Sequence, residues 1–170
     1  DELVQKIDEI SEDIEEKKTD APSRMSIDRV FSLKGFGTIV TGTLIEGKIS
    51  VDDEMTIYPS EKKVKVRNLQ VHGCDVKTAY AGQRTAINLS NIKVSEIQRG
   101  DVIAQTGSVE ESMMIDVNIS LVEHCKKSLK HWDRIRIFHG TKQILCRIVP
   151  LNEDEIQYGE SGYAQLRLEE

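Results

Sequence analysis

Glycine beside lysine or a hydroxyl is the first pattern in this chain that could do chemistry, because such loops cradle phosphate. The candidates are Lys34-Gly35-Phe36-Gly37, Gly42-Thr43 and Gly47-Lys48. A Walker loop needs Gly-Lys-Ser/Thr after four spacers, so that the lysine reaches phosphate and the hydroxyl reaches magnesium. Here Gly42 is followed by Thr43, and Gly47-Lys48 by Ile49. A dinucleotide fingerprint fails too, since Ile39 and Val40 stand where its third glycine should fall. Metal chemistry finds no better footing. His72, His124, His131 and His139 form no helical i, i+4 pair with a ligand-like partner. His124 adjoins Cys125, but neighbours on a strand face opposite ways. Cys74, Cys125 and Cys146 are odd in number and widely spaced, as reduced thiols are. No carboxylate pair or nucleophile–base pair has a suitable spacing, which argues against an independent enzyme.

The elements around those glycines account for them better. Ile27–Leu33 and Thr38–Ile45 are β-branched, apolar runs joined by Lys34-Gly35-Phe36-Gly37, and glycines there permit the positive φ of a tight hairpin. Gly42, inside the second run, marks a bulge, a bend or a close backbone approach. Short strands with turn signals every eight to twelve residues follow. Val64 and Val66 share one phase, Leu69 and Val71 the other, which predicts a bulge near Arg67-Asn68. Val102-Ile103-Ala104 closes a first barrel. After a break at Gly107–Glu111, Ile115, Val117, Ile119 and Leu121 alternate as a half-buried strand does. Further strands are expected at Arg134–His139, Gln143–Val149 and Ala164–Leu168, with Trp132 and Phe138 in the core. The fold class is all-β: two tandem small β-barrels preceded by an N-terminal α-helix. The divisions fall at residues 1–23, 24–108 and 109–170.

That helix is read over residues 1–17, with Leu3, Ile7, Ile10 and Ile14 as its apolar seam and Lys17 and Lys18 at its C-terminal end. So short a helix cannot bury its own stripe. It docks on the barrels, pairs with another copy, or belongs to a domain outside this sequence, the reading favoured here. It also holds the charge. Of the net −6, all arises in residues 1–20, where nine acids meet three lysines; the rest balances at twenty of each. A neutral body grips nucleic acid only through local basic patches. No run of about eighteen apolar residues exists to span a membrane, and no secretory signal opens the chain; a cytoplasmic location is expected.

The wording of the strands carries a resemblance. Ile27-Asp-Arg-Val-Phe31 with Gly35-Phe-Gly-Thr-Ile-Val-Thr-Gly-Thr43 resembles the opening of domain II of translational GTPases of the elongation factor Tu type. Ala81-Gly-Gln-Arg-Thr-Ala-Ile-Asn-Leu89 and Arg99-Gly-Asp-Val-Ile-Ala104 resemble later strands of that domain. Ile27-Asp28-Arg29, Ala81–Arg84 and Phe138-His139-Gly140-Thr141 are most similar to the selenocysteine-specific elongation factors. The likeness covers residues 25–170 and is tighter in the first barrel than in the second.

The resemblance implies domains II and III of such a factor without its GTP-binding domain: a non-catalytic fragment that helps bind the aminoacyl acceptor end of selenocysteinyl-tRNA for delivery to the ribosome. GTP and magnesium would belong to the absent domain, and Asn-Lys-x-Asp and Asp-x-x-Gly motifs are missing here. Asp28, Arg29 and Arg84 carry over as the aminoacyl pocket. A selenol ionises more readily than a serine hydroxyl, and arginine stays protonated when partly desolvated, so fixed cations distinguish the two. Adjacent Asp28 and Arg29 diverge on a regular strand, so sharing one pocket requires a bulge or a strand start there. The anion contact then falls to Arg29 and Arg84, with Asp28 orienting a guanidinium or accepting the amino group. Lys34, Arg134, Arg136, Lys142 and Arg147 are the implied contacts to the tRNA backbone, beside the plainer reading of solvated basic residues. The alternative function is a pair of barrels that brace neighbouring domains or contact the ribosome.

Overall fold

The structure, a computed structural model, describes residues 2–12 and 17–169. Helix α1 (Glu2–Glu12) keeps Leu3, Ile7 and Ile10 exposed. Ile14 lies outside the described residues, and Lys17 and Lys18, expected to end the helix, sit in irregular backbone. The chain divides into two compact units, one reaching to Gln98 and adding Val102–Ser108, the other comprising Val109–Glu170 with Arg99–Asp101.

In the first unit, β1 (Arg24–Leu33) and β2 (Gly37–Glu46) form the expected hairpin. There follow β3 (Lys48–Ser50), β4 (Glu54–Tyr58), β5 (Lys62–Val71), β6 (Cys74–Val76), β7 (Thr78–Tyr80), β8 (Arg84–Ser90), a 3-10 turn at Val94–Glu96 and β9 (Val102–Gln105). The antiparallel ladder runs β4-β9-β1-β2-β8-β5, and β5 pairs back onto β4, so six strands close a barrel. Closure is what the apolar alternation demands: Met25, Ile27, Val40, Ile57, Ile87 and Ile103 all reach one sealed core.

Two of the barrel's three register shifts bear on the site; the third lies between Arg24 and Met25. Ile27 stands opposite Gly42 and Arg29 opposite Thr41, so Asp28 is an extra residue in β1. Val66 faces Leu89 and Asn68 faces Asn88, so Arg67 is the extra residue in β5, where the phase change of the valines predicts it. The first bulge dictates the glycine opposite. A Cβ on Gly42 would lie 2.2 Å from the Ser26 carbonyl oxygen and 2.9 Å from Met25 Cγ, so the backbones approach closer than any side chain allows.

The second unit contains β10 (Met114–Ser120), β11 (Leu129–Lys130), β12 (Arg134–His139), β13 (Lys142–Pro150), β14 (Glu155–Ile156) and β15 (Ser161–Leu168). A four-stranded sheet, β10-β15-β13-β12, and a β11-β14 ribbon share a small core of Cys146, Ile148, Ile156, Ala164 and Leu166. Among the described residues no ladder pair joins β10 to β12, so the all-β pattern holds but closure by hydrogen bonds belongs to the first unit. The core assignment of Trp132 and Phe138 is wrong. Phe138 is 73 % exposed because it shares its phase with Arg134 and Arg136, while Trp132, 50 % exposed, sits in a turn at φ +67°.

Gly42→Ala is expected to destabilise the protein by roughly 2 kcal/mol or more, the cost of overpacking a tight contact. Gly35→Ala, with open space around it but φ +89°, should cost about 1 kcal/mol. Urea melts of both variants check the order.

Candidate functional site: a cationic cleft on the barrel wall

The bulge at Asp28 lets adjacent residues of β1 act on one place. The extra residue re-aims the Asp28 side chain across β2 towards β8. Arg84, at the start of β8, pairs in register with Thr43 of β2. Its Nη1 donates to Asp28 Oδ2 at 2.5 Å and its Nη2 to Oδ1 at 3.2 Å, a two-pronged fork spanning three strands. Thr41 Oγ1 donates to Oδ1 at 2.7 Å. Burial works to raise the Asp28 pKa, but hydrogen bonds from Arg84 and Thr41, with the charges of Arg84 and Arg29, outweigh it. The carboxyl is held below its ordinary value. Both arginines therefore act on the same carboxylate, and the trio carries one net positive charge. The fork occupies two of the five guanidinium donors, so Arg84 keeps three for a ligand.

Arg84 lines a shallow cleft of about 230 Å³ with Thr41, Gln70, His72, Gly73, Thr85 and Ala86. Gln70 and Ala86 also wall a smaller pocket of about 90 Å³, completed by Leu33, Phe36, Ile39, Asn68 and Asn88. The two form one groove, cationic at the Arg84 end and apolar at the hairpin end. Asn88 is 8 % exposed; its Nδ2 donates to the Phe36 carbonyl at 2.9 Å, and its Oδ1 has no partner. That oxygen is sealed from solvent, so it is an unsatisfied buried acceptor rather than a group presented to a ligand. Sequence reasoning missed Gln70, His72 and Asn88. The signal was the Arg67 bulge, which turns Asn68 and Gln70 to the phase opposite Asn88 and Ala86.

The other expected contacts are scattered. Lys34 is exposed at the hairpin tip. Arg134 is not a free cation: its guanidinium is clasped by Glu169, with Nε to the two carboxylate oxygens at 3.1 and 3.0 Å and Nη2 at 2.5 Å. Arg147 reaches the same carboxylate at 3.3 Å and donates to the Trp132 carbonyl. The Arg134 hydrogen bond leads the effects that hold the Glu169 pKa below its ordinary value. Arg136, opposite Leu145, shares the face of Arg134, whereas Lys142, opposite His139, falls on the other phase. Register adds a residue that sequence missed. Arg134, Arg147 and Arg167 stand in one row across β12, β13 and β15, and Arg167 lies 5.0 Å from the Trp132 ring.

Comparison with known proteins now bears on this groove. Residues 37–104, from β2 through β9, match the family described as elongation factor Tu domain 2. Over 144 residues the chain is 40 % identical to a selenocysteine-specific elongation factor of Desulfomicrobium baculatum, a match covering 85 % of the chain and 23 % of that protein. The chain is homologous to the selenocysteine-specific elongation factors. A relative so described from Methanocaldococcus jannaschii is 31 % identical over 162 residues, covering 86 % of the chain and 34 % of its own length. The crystal structure of a bacterial selenocysteine-specific elongation factor aligns over 99 % of the chain and 27 % of its own at TM-score 0.82 and 28 % identity. Translation elongation factor SelB of Methanococcus maripaludis, in its apo form, aligns over 99 % of the chain and 40 % of its own at TM-score 0.84 and 25 % identity. The chain thus spans less than half the length of the relatives it matches, and the matched family is a domain other than a nucleotide-binding one.

The depressed Asp28 pKa fixes a sign. A carboxylate whose folded pKa lies below its unfolded value adds stability above the unfolded pKa, about 3.9, and loses it as pH falls through the folded one. The stability gap between wild type and Asp28→Asn should therefore be full at neutral pH and close progressively below about pH 4. Paired urea melts across that range check it; a gap that persists at low pH would place the stabilisation elsewhere.

Proposed function

We propose that this chain supplies the acceptor-end-binding part of a selenocysteine-specific translation elongation factor, holding selenocysteinyl-tRNA for delivery to the ribosome. The observation that carries the reading is the fork that fixes Arg84 on Asp28, with the Arg29 charge acting on the same carboxylate. A guanidinium held by a carboxylate loses little freedom when it meets a ligand, and an ionised selenol accepts charge-assisted hydrogen bonds from it. A serine hydroxyl in the same place is neutral and accepts only an ordinary hydrogen bond from the half-exposed guanidinium. Asp28 is then the orienting group, and Arg84 with Arg29 meets the selenium-borne charge.

The rest of the groove suits what is attached to that amino acid. Beyond Gln70 and Ala86, the Leu33–Phe36–Ile39 pocket offers apolar walls, a place for the terminal adenosine ring. Backbone contacts fall to Lys34 and, in the second unit, to Arg134, Arg136 and their neighbours Arg147 and Arg167; Lys142, on the other phase, joins them only from the strand's other side. Phosphate groups would have to compete with Glu169 for Arg134 and Arg147. The GTP-binding domain of the parent chain and the ribosome are the remaining partners, in the cytoplasm. Among the described residues no helix is long and apolar enough to cross a membrane. No motif in these residues fits GTP or magnesium, so both are assigned to that other domain.

Arg84→Ala in the full-length parent factor should weaken selenocysteinyl-tRNA binding on the order of ten- to a hundred-fold and change seryl-tRNA binding far less. Filter binding with both charged tRNAs reads the ratio. An unchanged preference would leave the barrels a bracing role only.

A further inference from the structure

Arg84 is the first residue of β8, and the turn that precedes it is fixed from outside the sheet. Residues 17–23 belong to no helix or strand, yet they are strapped onto the barrel at both ends. Ser23 anchors one end: it is 5 % exposed, its carbonyl takes the Gln105 N–H at 3.0 Å, and its hydroxyl faces the Met55 sulfur at 3.9 Å. At the other end the Lys18 carbonyl takes the Gly47 N–H at 2.8 Å. Between them the strap presses on Gly47, where a Cβ would stand 2.4 Å from the Ala21 carbonyl oxygen and 2.7 Å from the Ser23 backbone. With φ at +72° as well, glycine is the residue that serves there.

From Gly47 the hydrogen bonds run on towards the arginine. The Gly47 carbonyl takes the Ala81 N–H at 2.9 Å, and the Leu44 carbonyl takes that of Gly82 at 2.7 Å. Lys17 Cγ lies 3.6 Å from where a Cβ on Gly82 would stand, so the strap reaches this turn as well. Gln83 closes the turn twice: its N–H donates to the Tyr80 carbonyl at 3.1 Å, and its Oε1 accepts the Tyr80 N–H at 2.8 Å. The Leu44 N–H then donates to the Gln83 carbonyl at 3.0 Å, one residue before Arg84. An unbroken series of contacts thus joins Lys18 to the root of the forked arginine.

We propose that the strap of residues 17–23 positions Arg84: seated on Gly47, it holds the Tyr80–Gln83 turn so that the guanidinium stays forked on Asp28, and its release loosens that cation. The inference rests on the reading of Arg84 as the anion contact. It adds Gly47 as a positioning residue, although Gly47 lines neither pocket of the groove. The device has two states, strap seated and strap released, which a coupling between separated groups requires. Release costs affinity through freedom: a guanidinium rooted in a loosened turn must be ordered again when its ligand arrives. A pull on the strap from the N-terminal side thereby reaches the groove without touching any residue that lines it.

Amide hydrogen exchange on the chain tests the seat without any ligand. Gly47→Ala sets a Cβ against the strap, so the Leu44, Ala81 and Gly82 amides should exchange roughly tenfold faster while those of Val40 and Ile87 in the ladder stay protected. Gly107→Ala, at a similar φ of +76° with open space around it, should leave all five unchanged. Faster tryptic cleavage after Lys18 reports release of the strap, and undiminished protection of Ala81 and Gly82 in a released strap would overturn the proposal. In the full-length parent factor, Gly47→Ala should lower the ratio of selenocysteinyl- to seryl-tRNA affinity about tenfold and add little to Arg84→Ala, as changes along one path do. A wild-type ratio in Gly47→Ala, where Arg84→Ala lowers it, also overturns the positioning role. If Arg84→Ala leaves the ratio unchanged, the aminoacyl reading fails and the exchange result alone decides the seat. Should Gly47→Ala not fold, exchange in the wild type decides: the Gly47, Ala81 and Gly82 amides open together if strap and turn move as one, and independent opening contradicts it.

Discussion

One residue too many in the first barrel strand is the constraint from which the site follows. With Asp28 inserted between the Ile27–Gly42 and Arg29–Thr41 pairs, the carboxylate leaves the alternation of β1 and crosses β2 to grip Arg84 on β8. The insertion bends β1 so sharply that Ser26 presses on β2, and only glycine fits at position 42. Without the bulge, Asp28 and Arg29 would point to opposite faces and no cation would be fixed on the barrel wall. A closed barrel makes this tolerable: the six-stranded ladder over-determines the backbone on either side of the irregularity.

Much of this is legible in the sequence, for reasons that differ between residues. Gly42 is readable because a glycine inside a β-branched run gives up packing area, which a strand does where two backbones must come close. The Arg67 bulge is readable because Val64, Val66, Leu69 and Val71 change phase, and a phase change in a half-buried strand requires an extra residue. The Asp28 bulge is masked. Met25, Ile27, Phe31 and Leu33 keep one phase as if β1 were regular, yet beyond the bulge it is Val30 that packs on the core while Phe31 and Leu33 are exposed. Only the resemblance pointed there. Asn88 is hidden for a different reason: alternation with Ile87 and Leu89 only places it on the outer face, and its burial in the pocket wall emerges from pairing with Asn68.

The second unit shows where pattern reading stops. Alternating basic residues on β12 do share a face, yet the sequence is silent on what neutralises them. Glu169, remote along the chain, takes Arg134 and Arg147 together, and the row they form with Arg167 appears only from cross-strand register. Trp132 and Phe138 look like core on hydrophobicity alone, although β12 already carries its apolar phase in Ile135 and Ile137. A core this small leaves large side chains outside.

If Arg84 and Arg29 recognise a charge rather than a shape, recognition must follow the ionisation of the selenol. The direct measurement is the ratio of selenocysteinyl- to seryl-tRNA affinity for the intact parent factor as pH is lowered through the selenol's titration. The account predicts that the ratio falls as the selenol is protonated, while seryl-tRNA affinity stays level. A ratio that does not change with pH would contradict it.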